Sequence, residues 1–216
     1  MPIKNRPLGS SLTKSQLQTL QKGTMAYTYR GVETQKNPFD WALYPMLLWS
    51  EKPATIIEIG SKSGGSALWM ADMMRTFGVP ADIHSVDINP VGIGAIPGVT
   101  FHRGNARKLS EVFGRSFFHR LARPLLVIED SDHTAKTTGA VLDFFDPWLR
   151  AGEYLVVEDG IVTDMGDADM YQGGPLAAIE RFLEKRGDDY EVDEKYCDWF
   201  GTNLTWNVNG FLKRIR

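Results

Sequence analysis

Cysteine is nearly absent. Cys197 is the only one in 216 residues, so no intrachain disulfide forms and a thiolate metal cage is excluded. Cys197 itself is expected to be a half-buried small side chain. Long apolar runs are also missing. The longest, residues 42–49, has eight residues and contains Pro45, whereas a membrane-spanning helix needs about 20. No apolar stretch follows the basic N-terminus, so no secretory signal is expected. These absences lead to the expectation of a cytoplasmic chain without membrane contact. Nor is there an excess of one charge. The net charge is −3, which lacks the basic footprint of a nucleic-acid binder. Hydrophobic residues make up 43% and charged residues 24%. That is the make-up of a globular chain, and one long enough to bury a full core.

Charge is unevenly placed. Residues 1–32 hold Lys4, Arg6, Lys14, Lys22 and Arg30 and no acid, while residues 153–198 hold fourteen acids against four bases. Residues 1–35 read as an arm and a short helix. Thr13 and Gln16 fit a capping box, Leu17 and Leu20 give a narrow apolar face, and Gly23 is expected to stop the helix. Residues 36–216 read as the main domain. A second helix is expected to start at Asn37-Pro38, with Asn as the cap and Pro in the first turn.

From residue 54 short apolar runs alternate with helical periods. The runs are 55–59, 83–86, 99–102, 125–128 and 154–157, with helices expected near 65–77, 106–121 and 134–150. Strands apolar on both faces and separated by helices predict a parallel sheet covered on both sides. One more amphipathic helix opens at Pro175. The chain then ends in strand patterns at 190–192 and 204–215, the latter containing the turn signal Asn209-Gly210. The expected fold is α/β, a mostly parallel sheet with an antiparallel end.

The stretch from Ile56 to Ser66 carries the first chemical signal. A buried strand runs through Glu58 into Gly60-Ser61-Lys62-Ser63-Gly64-Gly65 and then an apolar helix. Ligands of open α/β sheets bind at such strand ends. The loop matches neither the three-glycine dinucleotide fingerprint nor the phosphate loop. Glu58 would repel a pyrophosphate but suits a cationic ligand, and S-adenosylmethionine carries a sulfonium and an ammonium. Asp87 ends the second strand, where an acid can accept from both ribose hydroxyls. Asn105 and Ala106 follow the third, placed to border an adenine. Gly60, Ser61, Gly64, Gly65, Ser66 and Asp130 complete the expected cofactor contacts.

Two further strand ends carry carboxylates: Asp130 after the fourth, and Glu158 and Asp159 after the fifth. Three converging acids need a cation or protons, and an all-oxygen set suits a hard ion such as Mg²⁺. His133 is the candidate base, Lys136 the fallback, and Asp132 a group that can orient His133. A non-haem iron site would need two histidines, and His84, His102 and His119 show no such pairing. Residues 160–173 lack periodicity and read as a lid. Met165, Met170 and Tyr171 are candidates to cover a substrate. Tyr27, Tyr29, Lys36, Asp40 and Tyr44 are candidates to close the other side.

With these residues in view, the chain resembles the cephalosporin hydroxylase / rhamnosyl O-methyltransferase family over residues 24–214. The matching segments are 36–40, 56–68, 85–87, 130–134, 152–159, 174–183 and 210–214. The specific part is D-x-x-H followed by E-D: Asp130, His133, Glu158 and Asp159. The resemblance implies a Rossmann-like class I methyltransferase sheet of seven strands, the last antiparallel, with helices on both faces. It implies Mg²⁺ held by Asp130, Glu158 and Asp159, with His133 as base. It also implies a small-molecule hydroxyl substrate, of a sugar or another natural product, and a homo-oligomer. The rival readings are a nicotinamide-dependent oxidoreductase and a non-catalytic subunit that binds S-adenosylmethionine and assists a partner enzyme.

Overall fold

In this computed structural model residues 6–216 are described; Lys4 of the basic arm lies outside them. The capping box is formed. The Gln16 N–H donates to Thr13 Oγ1, and the Thr13 N–H donates to Gln16 Oε1 at 2.9 Å. It opens helix α1 (Lys14–Ala26). Gly23 does not stop that helix. One glycine costs only about 1 kcal/mol against alanine, and the helix is anchored by buried Leu17 and Thr24. A hairpin that the pattern did not announce follows, β1 (Thr28–Tyr29) against β2 (Val32–Glu33). Arg30 and Gly31 turn it with positive φ at both residues, which the right-handed strand twist favours. Helix α2 (Asp40–Glu51) starts later than expected. Asn37 Oδ1 accepts from the N–H groups of Phe39 and Asp40 and holds the preceding turn.

The βα alternation then runs as expected through β3 (Thr55–Ile59), α3 (Gly65–Thr76), β4 (Asp82–Asp87) and β5 (Val99–Arg103). The helix expected over 106–121 is broken. A 3₁₀ segment, Ala106–Glu111, contains a non-helical Lys108, and a separate α4 (Arg115–Arg120) begins after Gly114. Next come β6 (Leu125–Glu129) and α5 (Ala135–Phe145). After α5 the chain tightens into a 3₁₀ turn, because Pro147 has no N–H to continue the ladder. The remaining elements are β7 (Tyr154–Val157), α6 (Val162–Met165), α7 (Gly174–Arg186), β8 (Tyr190–Val192), α8 (Glu194–Cys197) and β9 (Phe211–Arg214). Asn209-Gly210 forms no hairpin between strands. It turns the chain into β9, which is far shorter than the 204–215 pattern suggested.

The seven main strands lie in the order β5-β4-β3-β6-β7-β9-β8. β3 to β7 are parallel, and β9 runs antiparallel to both neighbours. β3, β6 and β7 are buried at every position, which explains their largely apolar runs, broken by Glu58 and Glu129. The chain leaves β3 toward β5 and returns to β6, so the crevice at a topological switch point opens where β3 meets β6. Cys197 is fully buried in the core rather than half-buried. The N-terminal arm crosses residues 198–209. Buried Arg6 pairs with Glu194 and Asp198 and donates to Asn209, and the Asn203 and Asn209 amides donate to the Pro7 carbonyl.

Away from the crevice, His84 Nδ1 and His102 Nε2 meet at 3.0 Å across β4 and β5. Burial lowers both pKa values, and His102 lowers that of His84 further, against the pull of Asp82. An unfolded histidine titrates near 6.5. As pH falls through that value, the unfolded chain takes up protons that the folded pair resists, so stability is lost on the acid side. The parent is expected to lose more stability between pH 7.5 and 5.5 than a His84→Gln/His102→Gln variant in urea titrations. Carboxyl groups titrate alike in both and cancel in the comparison. Equal losses would contradict the assignment.

Candidate active site

Register brings the expected residues together. Ile59 pairs with Val86 on one side and Glu129 on the other, and Glu129 pairs with Val157. The residues that follow, Gly60, Asp87, Asp130 and Glu158, therefore sit side by side on one edge. Gly60 is forced by this closeness. Its φ is +114°, and a Cβ there would lie 1.8 Å from the Asp130 carbonyl oxygen.

A cavity of about 490 Å³ opens above that edge, within the usual range for small-molecule sites. Gly60, Ser61, Gly65 and Ser66 line it from the first loop, and Asp87, Asn105, Ala106 and Asp130 from the following strand ends. Asp87 is held by two backbone donors at 2.8 Å, the Lys62 N–H on Oδ2 and the Asn89 N–H on Oδ1. Each oxygen keeps a second lone pair for a ligand. Two expected contacts are absent from the wall. Glu58 is wholly buried beneath the loop, its two oxygens accepting from the Ser66 and Ser85 hydroxyls. Strand alternation turns it away from the cavity, so it braces the loop instead of meeting a ligand. Gly64 packs outward, toward Val91, Ile93 and Phe101.

The acidic wall differs in one member from the expected set. Ligand atoms of Asp130, His133 and Asp159 lie within 4.8 Å of one another. Glu158 is outside this group, and both its oxygens are taken by other partners. The Lys36 ammonium lies 2.5 Å from Oε2, and the Tyr44 hydroxyl donates to Oε1 at 2.5 Å. The same ammonium is 2.6 Å from Asp130 Oδ2. Burial and the Asp130 charge push Glu158 up to about 7, against Lys36 and Tyr44. Burial also raises Asp130 and Asp159 above the usual carboxylate range. For Lys36 burial works against the charge, yet Asp130, Glu158 and Glu58 hold its pKa well above the normal lysine value.

His133 lines the cavity, and its Nδ1 is 3.3 Å from Asp159 Oδ2. Burial disfavours its charge, but Asp159 and Asp130 outweigh that and raise its pKa. His133 and Asp159 both hold left-handed φ, 58° and 57°, a strain that persists where the surroundings dictate it. Asp159 is thus the group that orients His133. Asp132 is not: its oxygens accept from the Thr134 N–H and from the Thr134 and Thr137 hydroxyls, fixing the turn into α5, whose cap is Thr134. Lys136 is exposed on that helix and absent from the cavity wall, one turn too far along to reach it.

Residues 160–173 are built of α6 and successive turns. Met165 and Tyr171 line the cavity, while Met170 is 73% exposed and does not. Among the arm residues, Lys36 reaches the cavity. Tyr44 acts through Glu158. Asp40 is buried against Asn37, Thr205 and the Trp206 N–H, and burial pushes it up to about 7. Tyr27 packs on Trp41, and Tyr29 donates to Asp72. Sequence reasoning missed Gln21 and Met25 of α1, and Trp206, all of which line the cavity. The Trp206 indole N–H is buried without a partner.

The family model described as Rhamnosyl O-methyltransferase/CmcI matches residues 21–215. A rhamnosyl O-methyltransferase of Mycobacterium leprae (strain TN) is 33% identical over 192 residues, 87% of this chain and 82% of that protein. One from Mycobacterium bovis (strain BCG / Pasteur 1173P2) is 31% identical over 193 residues, 87% of this chain and 78% of that protein. The solved structure described as cmcI-D160 Mg-SAM has a TM-score of 0.69 at 24% identity, covering 89% of this chain and 78% of that one. It shares the fold. Among the described residues no helix is long and apolar enough to cross a membrane. With a family model spanning nearly the whole chain and relatives above 30% identity, this chain belongs to the rhamnosyl O-methyltransferase/CmcI family.

Proposed function

We propose that the chain is a Mg²⁺-dependent O-methyltransferase that uses S-adenosylmethionine and acts on a hydroxyl of a sugar-bearing small molecule. One observation carries the reading. A cavity at the ends of β3, β4 and β5 is bounded on one side by Asp130, His133 and Asp159. The mycobacterial relatives are named for a rhamnosyl acceptor, and the fold neighbour is described with Mg and SAM.

The residues present fit both groups. The cavity is large enough for an adenosine and is edged by the Asp87 carboxylate. Two carboxylates of the wall, Asp130 and Asp159, lie close enough to share one ion, with His133 beside them. Asp130 and Asp159 would hold it, with Glu158 joining once freed from Lys36. Bound here, S-adenosylmethionine supplies an electrophilic methyl group and Mg²⁺ the positive charge that favours an ionised acceptor hydroxyl. His133 accepts the hydroxyl proton at Nε2, the nitrogen left free when Nδ1 faces Asp159. Tyr171 and Met165 help to exclude water, and the rigid strand ends align acceptor and methyl group.

Calorimetric titration with S-adenosylmethionine and with NAD tests the cofactor. Binding of the first alone is expected, and binding of NAD alone would overturn the reading. Asp87→Ala is expected to weaken S-adenosylmethionine binding by about 1.5–3 kcal/mol, the range for hydrogen bonds to a charged group. Unchanged affinity would remove Asp87 from the ribose role.

A further inference from the structure

Lys36 is 5% exposed and lies between the β1–β2 hairpin and α2. Its ammonium is shared by Asp130 Oδ2 and Glu158 Oε2, at 2.6 and 2.5 Å. These are the acids of neighbouring strand ends, and the family motif contains both. A compact cation with three donors thus sits between two of the carboxylates that a hard divalent cation would take.

The choice of residue matters. Elsewhere in the described chain the least exposed ion pairs are made by arginines: Arg6 with Asp198, Arg123 with Glu153 and Arg214 with Asp146. Those pairs lie away from the cavity wall. A guanidinium fork locks a carboxylate, whereas a lysine is a point charge on a flexible stem. Among these pairs the single lysine is the one beside the acidic wall.

A second observation concerns where Lys36 would go. It also lines a separate cavity of about 480 Å³, together with Thr24, Tyr27 and Trp41. Thr24 Oγ1 is itself buried without a hydrogen-bond partner. The cavity thus offers a released ammonium two aromatic rings, Tyr27 and Trp41.

We propose that Lys36 is a displaceable internal counter-ion: it holds Asp130 and Glu158 together when no divalent cation is bound and competes with that cation for both. The inference rests on the proposed use of Mg²⁺. It makes Lys36 a positioning residue whose removal changes cation affinity in a direction that a merely structural ion pair would not. Without Lys36 the carboxylates lose their competitor and repel one another, so the chelated protein is less stable and the cation binds more tightly. With arginine the carboxylates are held harder and the cation binds more weakly.

The test is calorimetric titration of Mg²⁺ into chelator-treated full-length protein, with melting curves before and after. Lys36→Met is expected to bind Mg²⁺ about tenfold more tightly than the parent or better, a typical coupling between competing sites. Its chelated form is expected to melt lower, and Mg²⁺ to close that gap. Lys36→Arg, which keeps the charge and serves if the methionine variant does not fold, is expected to bind about tenfold more weakly. Unchanged or weaker binding in Lys36→Met overturns the proposal, as does parental or tighter binding in Lys36→Arg. If the parent and Lys36→Met both fail to bind Mg²⁺, with S-adenosylmethionine present or absent, the metal reading itself falls.

Discussion

Replacing His133 is expected to lower methyl transfer by about 10²–10⁴-fold, the usual share of a general base, with S-adenosylmethionine affinity unchanged. The residue sits on the acidic wall, its Nδ1 turned to Asp159 and its ring edge-on to Tyr171. The proposed adenosine contacts lie on the loop and strand ends on the other side. Asparagine is the better replacement than alanine, because position 133 holds a left-handed φ that asparagine tolerates. A turnover assay with saturating cofactor checks it. Lys136→Ala should keep parental turnover, since that side chain is exposed and off the wall. An active His133→Asn with an inactive Lys136→Ala would reverse the two roles.

Asp130→Asn is expected to cost still more, about 10³-fold or greater in turnover, because charge stabilisation by a metal is worth several kcal/mol. Asp130 belongs to both the Asp130–His133–Asp159 group and the Lys36 pair. The substitution removes one charge from a crowded set, and the amide oxygen still accepts from Lys36. The chelated variant should therefore melt no lower than the parent, while its Mg²⁺ binding by calorimetry should weaken strongly. Parental turnover with parental Mg²⁺ affinity would remove Asp130 from the ion site.

The parts of this architecture that announce themselves in sequence are those set by burial on both faces. Residues 55–59, 125–128 and 154–157 are mostly apolar because β3, β6 and β7 are central. Once those strands and β4 are parallel neighbours, Asp87, Asp130 and Glu158, with Asp159 next to it, must fall on one edge. The hairpin is invisible because two-residue strands carry no alternation and its turn, Arg30-Gly31, is a common pair. Glu58 misleads because the residue before a glycine loop looks like a ligand contact, while pleat direction decides which face it meets. The Lys36 pairing spans 94 and 122 residues in sequence; no local pattern encodes it, although Lys36 lies in a segment that resembles the family. Asp132 and Lys136 misled for a simpler reason, since proximity to His133 in sequence is not proximity across the turn into α5.

The most direct test of the account is methyl transfer from isotope-labelled S-adenosylmethionine to a rhamnosyl glycoside, run with chelated protein and again after Mg²⁺ is restored. The account predicts that cofactor binding survives chelation, that transfer stops, and that Mg²⁺ brings it back. Full transfer in rigorously chelated protein would contradict it.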